Sequence, residues 1–568
     1  MHIDIVPNRA SPPTVLLRQS YRQGDKVKKR TLANLSALPM DQVLAIKAIL
    51  RGDKLAPVAE AFEVVASRAR GAVQAVSEAM RRLGVAALLG PDCAERARVL
   101  AMIAARVAEP HTKLATTRWW RTTTLAEDFG VADADEQDLY AAMDWLLARQ
   151  DEIQKKLAAR HLEPAGLVLY DLSSSYFEGT HYPLAKRGYS RDGKKGTLQV
   201  DHGLVADPEG RPVAVAVHAG DVADSQTFMP IVERLREDFA IGQFVIVGDR
   251  GMISQKAIDQ LRGLDGIGWI TALKSASIRA LVDAGHVQMD LFDERNLLEL
   301  THPDYPGERL VVCRNPELAK RRAHKRESLL AATEAELVKL RLRVEVGRLT
   351  GKAEIALRVG KGVNRYKVSK HFALTIEDRA FAFQRKAETI AEEAAVDGLY
   401  VIRTPVRAAD MDAPTCVRNY KALCNVERAF RCIKTIDLKV RPIHHRLANR
   451  VRAHIFLCML AYYVEWHMRE AWRPLLFADE DQAAKRDRDP VAPAERSAKA
   501  KTKAHTHALE DGTPAHSFAT LMAELATVVR NTCRVPAAKS SERPTFEITT
   551  TPNPVQARAI DLIQSIKT

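Results

Sequence analysis

The chain has 568 residues, of which 46% are hydrophobic and 6% aromatic, a composition that is typical of a globular protein and excludes a largely disordered one. A single hydrophobic core stops growing at about 250 to 300 residues, so this length excludes a one-domain protein. The 85 Lys and Arg against 71 Asp and Glu give a net charge of +14, which favours polyanionic partners such as nucleic acid.

The seven cysteines include no C-x-x-C pair, which excludes a disulfide framework and a structural zinc site. We therefore expect a reducing, cytoplasmic location. The opening MHIDIVPNRA lacks the apolar segment of a signal peptide. The longest apolar run near the carboxyl end, residues 455–464, suits a buried helix and is too short to span a membrane.

Residues 3–35 alternate in the manner of short strands, with VLLRQSYR and KVKKRTLANL on either side of Gly24-Asp25. This pattern predicts a hairpin whose return strand is basic. Residues 38–160 are rich in Ala, Leu and Arg with few Gly or Pro, which predicts a helical region.

The pattern changes at residues 167–170, where LVLY predicts a buried strand that ends at Asp171. Residues 244–248, FVIVG, repeat this pattern and are followed by Asp249. Further elements are predicted around them: strands at 198–205 and 212–218, helices at 224–239 and 254–261, and a strand at 269–273. Three strands, helix, strand, helix, strand is the order of a ribonuclease-H-like α/β unit.

Residues 274–395 interrupt that order with a charged helical pattern at 316–346 and strand-like alternation at 352–382, which we interpret as an inserted subdomain. A strand at 397–403 leads back into the α/β unit. Residues 477–517 are polar and rich in Ala, Lys and Asp with several Pro, which indicates a flexible linker. A short helix is predicted at residues 518–529, before a tail rich in Pro and Thr.

Residues 420–434, YKALCNVERAFRCIK, contain no Gly or Pro and are predicted to form one helix. At about 100° per residue, Tyr420, Glu427, Arg431 and Lys434 fall on one face. The apolar residues occupy the neighbouring side, so the helix can pack into a core while it presents a single carboxylate among cations.

Asp171 and Asp249 each follow a buried strand. If those strands are adjacent and parallel, both carboxylates emerge at one edge of the sheet, where ligand crevices form. Their repulsion is most easily relieved by a divalent cation, with Glu427 as a third ligand, and an all-oxygen set favours Mg²⁺ or Mn²⁺. Simpler alternatives remain open: each aspartate could cap a turn or helix, and Glu427 could pair with Arg431.

Tyr420 and Lys434 stand seven residues before and after Glu427, and this spacing resembles the Tyr-Arg-Glu-Lys signature of DDE transposases from bacterial insertion sequences, the IS-four group. LVLYDLSSSYFEG around Asp171 and FVIVGDRGMIS around Asp249 resemble the first two acidic motifs of that family. DGLYVIRT before the helix and RPIHHRLANRVRAHIFLCMLAYY after it are also similar, so the resemblance covers about residues 160–470. One position departs from the signature, because Leu423 stands where it has Arg.

The resemblance implies an α/β protein with a ribonuclease-H-like catalytic domain interrupted by an inserted subdomain, and with a mainly helical N-terminal DNA-binding region. The predicted domains are a hairpin plus helical DNA-binding domain at 1–160, the first part of the core at 161–273, the inserted subdomain at 274–395, the second part of the core with the glutamate helix at 396–476, and a flexible linker and tail at 477–568.

The implied activity is metal-dependent cleavage of the ends of an insertion sequence and joining of the 3′ ends to target DNA. Asp171, Asp249 and Glu427 would be the catalytic residues and hold two Mg²⁺ or Mn²⁺ ions. The predicted DNA contacts are Tyr420, Lys434, Arg431, Lys421, Arg250, His445 and Arg446; Arg431 or Lys421 would replace the missing arginine.

The expected partner is double-stranded DNA, both element ends and target, bound by a homodimer without membrane association. Such a protein would act in the bacterial cytoplasm at the nucleoid. Two alternatives remain open: a ribonuclease-H-like DNA nuclease that cuts without joining, and an inactive DNA-binding relative.

Overall fold

The computed structural model describes residues 1–9, 11–53, 62–180, 182–194, 196–288, 291–534 and 545–567. The chain divides into two compact units. The first comprises Met1–Arg68 and Val529–Thr551, and the second comprises Ala69–Val528 and Pro552–Thr568.

Among its described residues, the first unit has two small sheets and one helix. Strands β1 (His2–Val6), β2 (Thr14–Gln23) and β3 (Lys26–Asn34) form one sheet in that order, and α1 (Met40–Arg51) packs on it through buried Ile3, Val15 and Val43. The predicted hairpin is therefore present as β2 and β3, turning at Gly24, whose φ is +64°. Strands β4 (Glu63–Ala69), β15 (Val529–Arg534) and β16 (Thr545–Thr549) form the other sheet.

The second unit begins with a group of seven helices between residues 71 and 161. The prediction of a helical region at residues 38–160 is wrong at residues 63–69, which form β4 through pairing with a strand that is distant in sequence. Residues 54–61 of the predicted helical region lie outside the described residues. The helices are α2 (Gly71–Arg82), α3 (Val85–Leu89), α4 (Ala94–Ala108), α5 (Lys113–Trp119), α6 (Leu125–Asp128), α7 (Glu136–Leu147) and α8 (Gln150–His161).

A long helix, α17 (Ala448–Ala471), joins this helical layer to the main sheet. It is apolar on nearly all sides and buried throughout residues 453–464, so the prediction of a buried helix at 455–464 is confirmed. Within the described ranges, every helix is too short or too polar to cross a membrane.

The main sheet has eight strands in the order β10-β11-β14-β9-β8-β5-β6-β7. Its centre contains the predicted alternation of three strands, helix, strand, helix and strand, so the predicted α/β class is confirmed. The elements are β5 (Leu167–Tyr176), β6 (Gln199–Ala206), β7 (Pro212–Ala219), α9 (Asp224–Glu237), β8 (Phe244–Val247), α10 (Gln255–Leu261) and β9 (Ile267–Ala272). Strand β8 lies between β5 and β9 and is parallel to both. Strand β6 lies between β5 and β7 and is antiparallel to both.

The segment predicted as an insertion contributes to this sheet. After α11 (Ser275–Asp283), strands β10 (Leu297–Leu300) and β11 (Arg309–Arg314) pair onward to β14 (Leu399–Thr404) and extend the sheet. A separate core follows, formed by α12 (Pro316–Glu345), α13 (Lys352–Asn364), β12 (Phe372–Ile376) and β13 (Phe381–Arg385), before α14 (Ala387–Ala394).

The prediction of strand-like structure at residues 352–382 is wrong in its first part. Residues 352–364 form α13, because Ile355, Val359 and Val363 recur every four residues and are all buried against α12.

The carboxyl-terminal part is also more ordered than the predicted linker and tail. It contains α18 (Gln482–Asp487), α19 (Ala498–Thr506), α20 (Phe518–Ala526) and α21 (Pro554–Gln564). Of these, α20 confirms the short helix predicted at residues 518–529, while α18, α19 and α21 were not predicted. Helices α20 and α21 pack against α2, with Leu525 and Ile563 fully buried, and the Trp472 indole donates to Ala559 O at 2.8 Å. The polar composition misleads here because the apolar residues of α20 and α21 are few, yet several of them lie on buried faces. Residues 535–544 of the predicted tail lie outside the described residues.

Candidate active site

Two aspartates from adjacent strands lie side by side at one edge of the main sheet. Strands β5 and β8 are parallel, and their last paired positions are Leu169 and Val247. Asp171 and Asp249 each lie two residues further along, so the register brings them to the same level. The prediction that β5 ends at Asp171 is wrong, because β6 continues to pair with β5 as far as Tyr176.

Backbone amides orient both carboxylates. Asp249 Oδ1 accepts hydrogen bonds from the N–H groups of Gly251 and Met252, both at 2.8 Å. Asp171 Oδ1 accepts from the N–H of Leu172, also at 2.8 Å. Asp249 is exposed and Asp171 is partly buried, so each retains an oxygen that can bind a ligand.

Glu427 lies on α16 (Leu423–Arg431), which packs against β5. Val426, Ala429 and Phe430 are buried on one side of this helix, while Glu427 is exposed on the other. The start of α16 is fixed by Asn425, whose amide donates to Pro208 O at 2.8 Å. Gly210, with φ of +88°, permits this approach, since a Cβ there would lie 2.8 Å from that of Asn425.

Electrostatic coupling joins the three acids. The pKa of Asp171 is raised to about 7, chiefly by burial and also by the nearby carboxylates of Asp249 and Glu427. The hydrogen bond from the Leu172 N–H and the charge of Arg191 act in the opposite direction. Tyr420 belongs to the same group: burial raises its pKa to about 12, with Asp249 the largest charged contributor. The carboxylates of Asp249 and Glu427 therefore act electrostatically on that of Asp171, although the three residues come from separate segments of the chain.

The donor set at this edge fits a hard divalent cation. All the candidate ligands are carboxylate oxygens. Burial, and to a smaller extent repulsion from Asp249 and Glu427, raises the pKa of Asp171, and a bound cation would favour its ionised form. The three acids are more widely spaced than a compact metal cluster. Among the described residues, Cys432, Asp437 and Glu465 form the group of three such side chains whose ligand atoms all lie within 4.8 Å of one another.

That second group is already neutralised by an arginine. Arg469 lies 2.6 Å from both Asp437 Oδ2 and Glu465 Oε1, and Cys432 Sγ lies 2.8 Å from Asp437 Oδ2. The guanidinium supplies the positive charge that a metal would bring, so we interpret this group as a structural ion cluster.

The single helix predicted at residues 420–434 is wrong. The segment is the end of α15 (Ala413–Lys421), then α16, then a π-helical turn, Cys432–Ile436. The Asp437 N–H bonds to Cys432 O, five residues back, which rotates the side chains after Arg431 away from the positions that a regular helix gives them.

Lys434 consequently points into the protein, while its contact with DNA stays a prediction. Its ammonium donates to Ser173 Oγ at 2.8 Å and pairs with Asp192 Oδ1 at 2.6 Å, and Arg441 pairs with the same aspartate. The side chain is only 9% exposed. The Lys434 side chain therefore contacts β5 at Ser173, two residues after Asp171.

The other predicted contacts fall into two groups. Arg250, Arg431 and Arg446 are exposed, and within the described part of the chain no carboxylate forms an ion pair with them. The Lys421 ammonium instead donates to Pro490 O.

The His445 ring is half-buried and packs against two other rings. It lies 6.0 Å from the ring of Tyr140 and 4.8 Å from that of His454. Burial and, to a smaller extent, the nearby charge of Lys113 lower its pKa to about 3. A DNA contact by His445 stays a prediction.

Arg191 is a residue of the site that the sequence did not indicate. It pairs with Asp224, lies 3.7 Å from Asp201, and its N–H donates to Ser174 Oγ at 2.9 Å. The positive charge of Arg191 lowers the pKa of Asp171, in opposition to the larger effect of burial. The segment around it is rich in Gly and Lys and has no periodicity, so no local pattern marks it.

Comparisons with known proteins give two family matches. A model described as "Transposase DDE domain" matches residues 166–464, which is more than half of the chain. A model described as "IS1634 family transposase, N-terminal domain" matches residues 3–58. No curated protein matches the sequence.

Among solved structures, the cryo-EM structure of a piggyBac transposase synaptic complex with hairpin DNA is similar to 80% of this chain, over 77% of its own. The sequence identity is 8% and the TM-score 0.34, a likeness too weak to support a conclusion about fold or function.

Proposed function

The chain belongs to the DDE transposases, and on that premise we propose that it cleaves the ends of its own insertion sequence and joins the freed 3′ ends to target DNA. The observation that carries this proposal is the alignment of Asp171 with Asp249 at one sheet edge, together with the electrostatic coupling of Glu427 to Asp171. We further propose that this part of the fold is ribonuclease-H-like, with residues 316–394 as its inserted subdomain.

We propose Asp171, Asp249 and Glu427 as the ligands of two Mg²⁺ or Mn²⁺ ions. When bound, such ions activate a water or a 3′-hydroxyl for attack on the phosphate and stabilise the leaving oxygen. The protein contributes orientation: two amides fix one oxygen of Asp249 and leave the other exposed. Asp171 would hold such an ion as the carboxylate, and its pKa, which is raised to about 7 in the metal-free protein, would make binding at this residue depend on pH.

Tyr420 and the nearby arginines are proposed to hold the DNA backbone. With its pKa raised to about 12, the Tyr420 phenol stays protonated and can donate a hydrogen bond to a phosphate oxygen. Arg250 follows Asp249 directly, and Arg431 lies one helical turn after Glu427. Both are exposed cations beside the carboxylates, where phosphate would otherwise meet only negative charge.

The spacing of Tyr420, Glu427 and Lys434 supports a signature of the IS-four type with one substitution, Leu423. We propose that Arg431 replaces its missing arginine, since Lys421 is engaged with Pro490 O. Arg431→Ala should then weaken binding of DNA ends, and Leu423→Ala should not. The reverse result would overturn this assignment.

The proposed partners are element-end and target DNA, bound at the bacterial nucleoid in the cytoplasm. We expect a homodimer on DNA, because two ends must be brought together for joining. The N-terminal region and the helices before residue 160 are proposed to contribute to DNA binding.

A joining assay tests the proposed function. Purified protein is incubated with Mg²⁺, a supercoiled plasmid and short duplexes that carry pre-cleaved element ends with free 3′-hydroxyls. We expect covalent joining of the duplex to the plasmid, and none with Asp249→Asn. Metal-dependent nicking without joining would indicate a nuclease, and neither nicking nor joining would indicate an inactive relative.

A further inference from the structure

The distal part of the β2–β3 hairpin projects without a hydrophobic core. Strand β1 pairs with β2 only over Thr14 to Arg18, so residues 19–30 pair solely with each other. All residues from 19 to 34 are exposed, including Val27 at 64%. A two-stranded hairpin alone is marginally stable in water, and this one buries nothing that would explain its length.

One face of this ribbon carries unpaired cations. Paired residues of an antiparallel ladder project to the same side, and the register joins Lys26 to Gln23, Lys28 to Tyr21, and Arg30 to Gln19. We call this set of six side chains the ribbon face. Within the described residues, no carboxylate forms an ion pair with Lys26 or Lys28, and Arg30 donates to the Gln19 amide oxygen at 3.2 Å.

The opposite face carries Arg18, Arg22 and Lys29, and two of these cations pair with the protein itself. Arg18 and Lys29 both lie 3.0 Å from Asp4 Oδ2. The two faces therefore differ: Asp4 offsets part of the positive charge of this face, while Lys26 and Lys28 of the ribbon face are available to a partner.

We propose that the ribbon face binds double-stranded DNA by entering the major groove. A two-stranded β-ribbon fits that groove, which is about 12 Å wide and about 8.5 Å deep. The paired part from Gln19 to Gln23 rises about 3.4 Å per residue, so it is long enough to reach the groove floor. Lysines at its margin meet phosphates, and Gln and Arg side chains are suited to the hydrogen-bonding edges of bases.

This inference rests on the proposed function, since the ribbon would recognise the DNA on which the carboxylates act. The turn of the hairpin supports a rigid presentation. A two-residue loop at Gly24-Asp25, with positive φ at the glycine, matches the twist of the flanking strands.

Binding by the full-length protein tests the inference. The probe is a fluorescent duplex that carries the inverted repeat next to the gene, compared with a scrambled duplex of equal length over a range of salt concentrations. For Lys26→Ala/Lys28→Ala we expect a loss of about tenfold or more in affinity for both duplexes, with a salt slope reduced by about 2. For Gln19→Ala/Gln23→Ala we expect loss of the preference for the repeat.

Lys29→Ala is the matched control, because it removes one lysine from the same strand, but one whose ammonium already pairs with Asp4. We expect its affinity to stay within about twofold of the wild type. Unchanged thermal unfolding of all three variants checks that the exposed substitutions leave the fold intact. Wild-type affinity and salt slope in the double lysine variant would overturn the inference, as would an equal loss in Lys29→Ala.

The experiments can contradict the inference without contradicting the proposed function, and the reverse. If the wild type joins ends in Mg²⁺ and the double lysine variant still binds them fully, the ribbon face is wrong and the function stands. If the wild type does not join ends, the proposed function fails, while the binding comparison still decides whether the ribbon face contacts DNA.

Discussion

The ammonium of Lys434 lies 2.6 Å from Asp192 Oδ1 and links the π-helical turn after α16 to the loop that precedes β6. Ser173, on β5, accepts a hydrogen bond from the same ammonium. Lys434, which its spacing in the sequence predicts to contact DNA, thus hydrogen-bonds to the strand that carries Asp171. It is a positioning residue for the carboxylate edge.

This relationship predicts energetic coupling between Lys434 and Asp192. Lys434→Met leaves Asp192 with Arg441 alone, and we expect the free energy of unfolding to fall by about 1 to 3 kcal/mol. A double-mutant cycle with Asp192→Asn, followed by urea unfolding, should give a coupling energy of similar size. The exposed Arg431→Met is the control, with an expected change within about 0.5 kcal/mol. Additive effects of the two substitutions would contradict the link.

Neutralising a carboxylate of the site should abolish chemistry while DNA binding persists. Glu427→Gln and Asp249→Asn preserve shape, so we expect nicking to fall by about 10³-fold or more. Affinity for duplex DNA should stay within a few-fold, because neither residue is an attractive contact for phosphate. Nicking rates and gel-shift titrations measure the two effects. A variant that nicks at the wild-type rate would remove that residue from the site.

The pH dependence of stability should reveal Asp171. Its pKa is 3.8 in the unfolded chain and raised to about 7 in the folded protein, so its contribution to stability is present below pH 3.8 and is lost as the pH rises through 7. Asp171→Asn cannot ionise and keeps that contribution. Without divalent ions, we expect the variant to gain at most about 4 kcal/mol over the wild type near pH 8, and less near pH 5. A difference that is equal at both pH values would contradict the assignment.

Local patterns predicted the parts of the site that depend on neighbours in sequence. The apolar runs before Asp171 and Asp249 indicate buried strands, and the glycine turn indicates the first hairpin, because each signal lies within a few residues. The continuation of β5 beyond Asp171 depends on β6, whose pairing residues lie about 30 positions away. That contact has no signature in the strand itself.

The regular helix predicted through Lys434 fails for a similar reason. The π-helical turn lies beside Asp437, which bonds Cys432 and Arg469, so the turn is fixed by a cluster drawn partly from α17. Helical periodicity cannot anticipate a register change imposed by another element. The inward orientation of Lys434 follows from that change and from Asp192, which lies in a loop without periodicity.

The ion cluster that fixes this turn should be important for stability. Glu465 is fully buried, and burial raises its pKa to about 7, against the charge of Arg469. Arg469→Met leaves two largely buried carboxyl groups without a cation, and we expect a loss of about 3 kcal/mol in urea unfolding. The exposed pair of Arg407 with Asp410 provides the control, where Arg407→Met should cost less than about 1 kcal/mol. Equal losses would contradict the interpretation of the cluster as structural.

A change of metal preference tests the central claim most directly. Mg²⁺ requires hard oxygen ligands, whereas a softer ion such as Mn²⁺ accepts a thiolate more readily. We expect Asp249→Cys to be inactive in end joining with Mg²⁺ and to regain joining with Mn²⁺, while Asp249→Ala stays inactive with both ions. A folded Asp249→Cys protein that joins ends equally well with both ions, or with neither, would contradict the claim that Asp249 holds the catalytic metal.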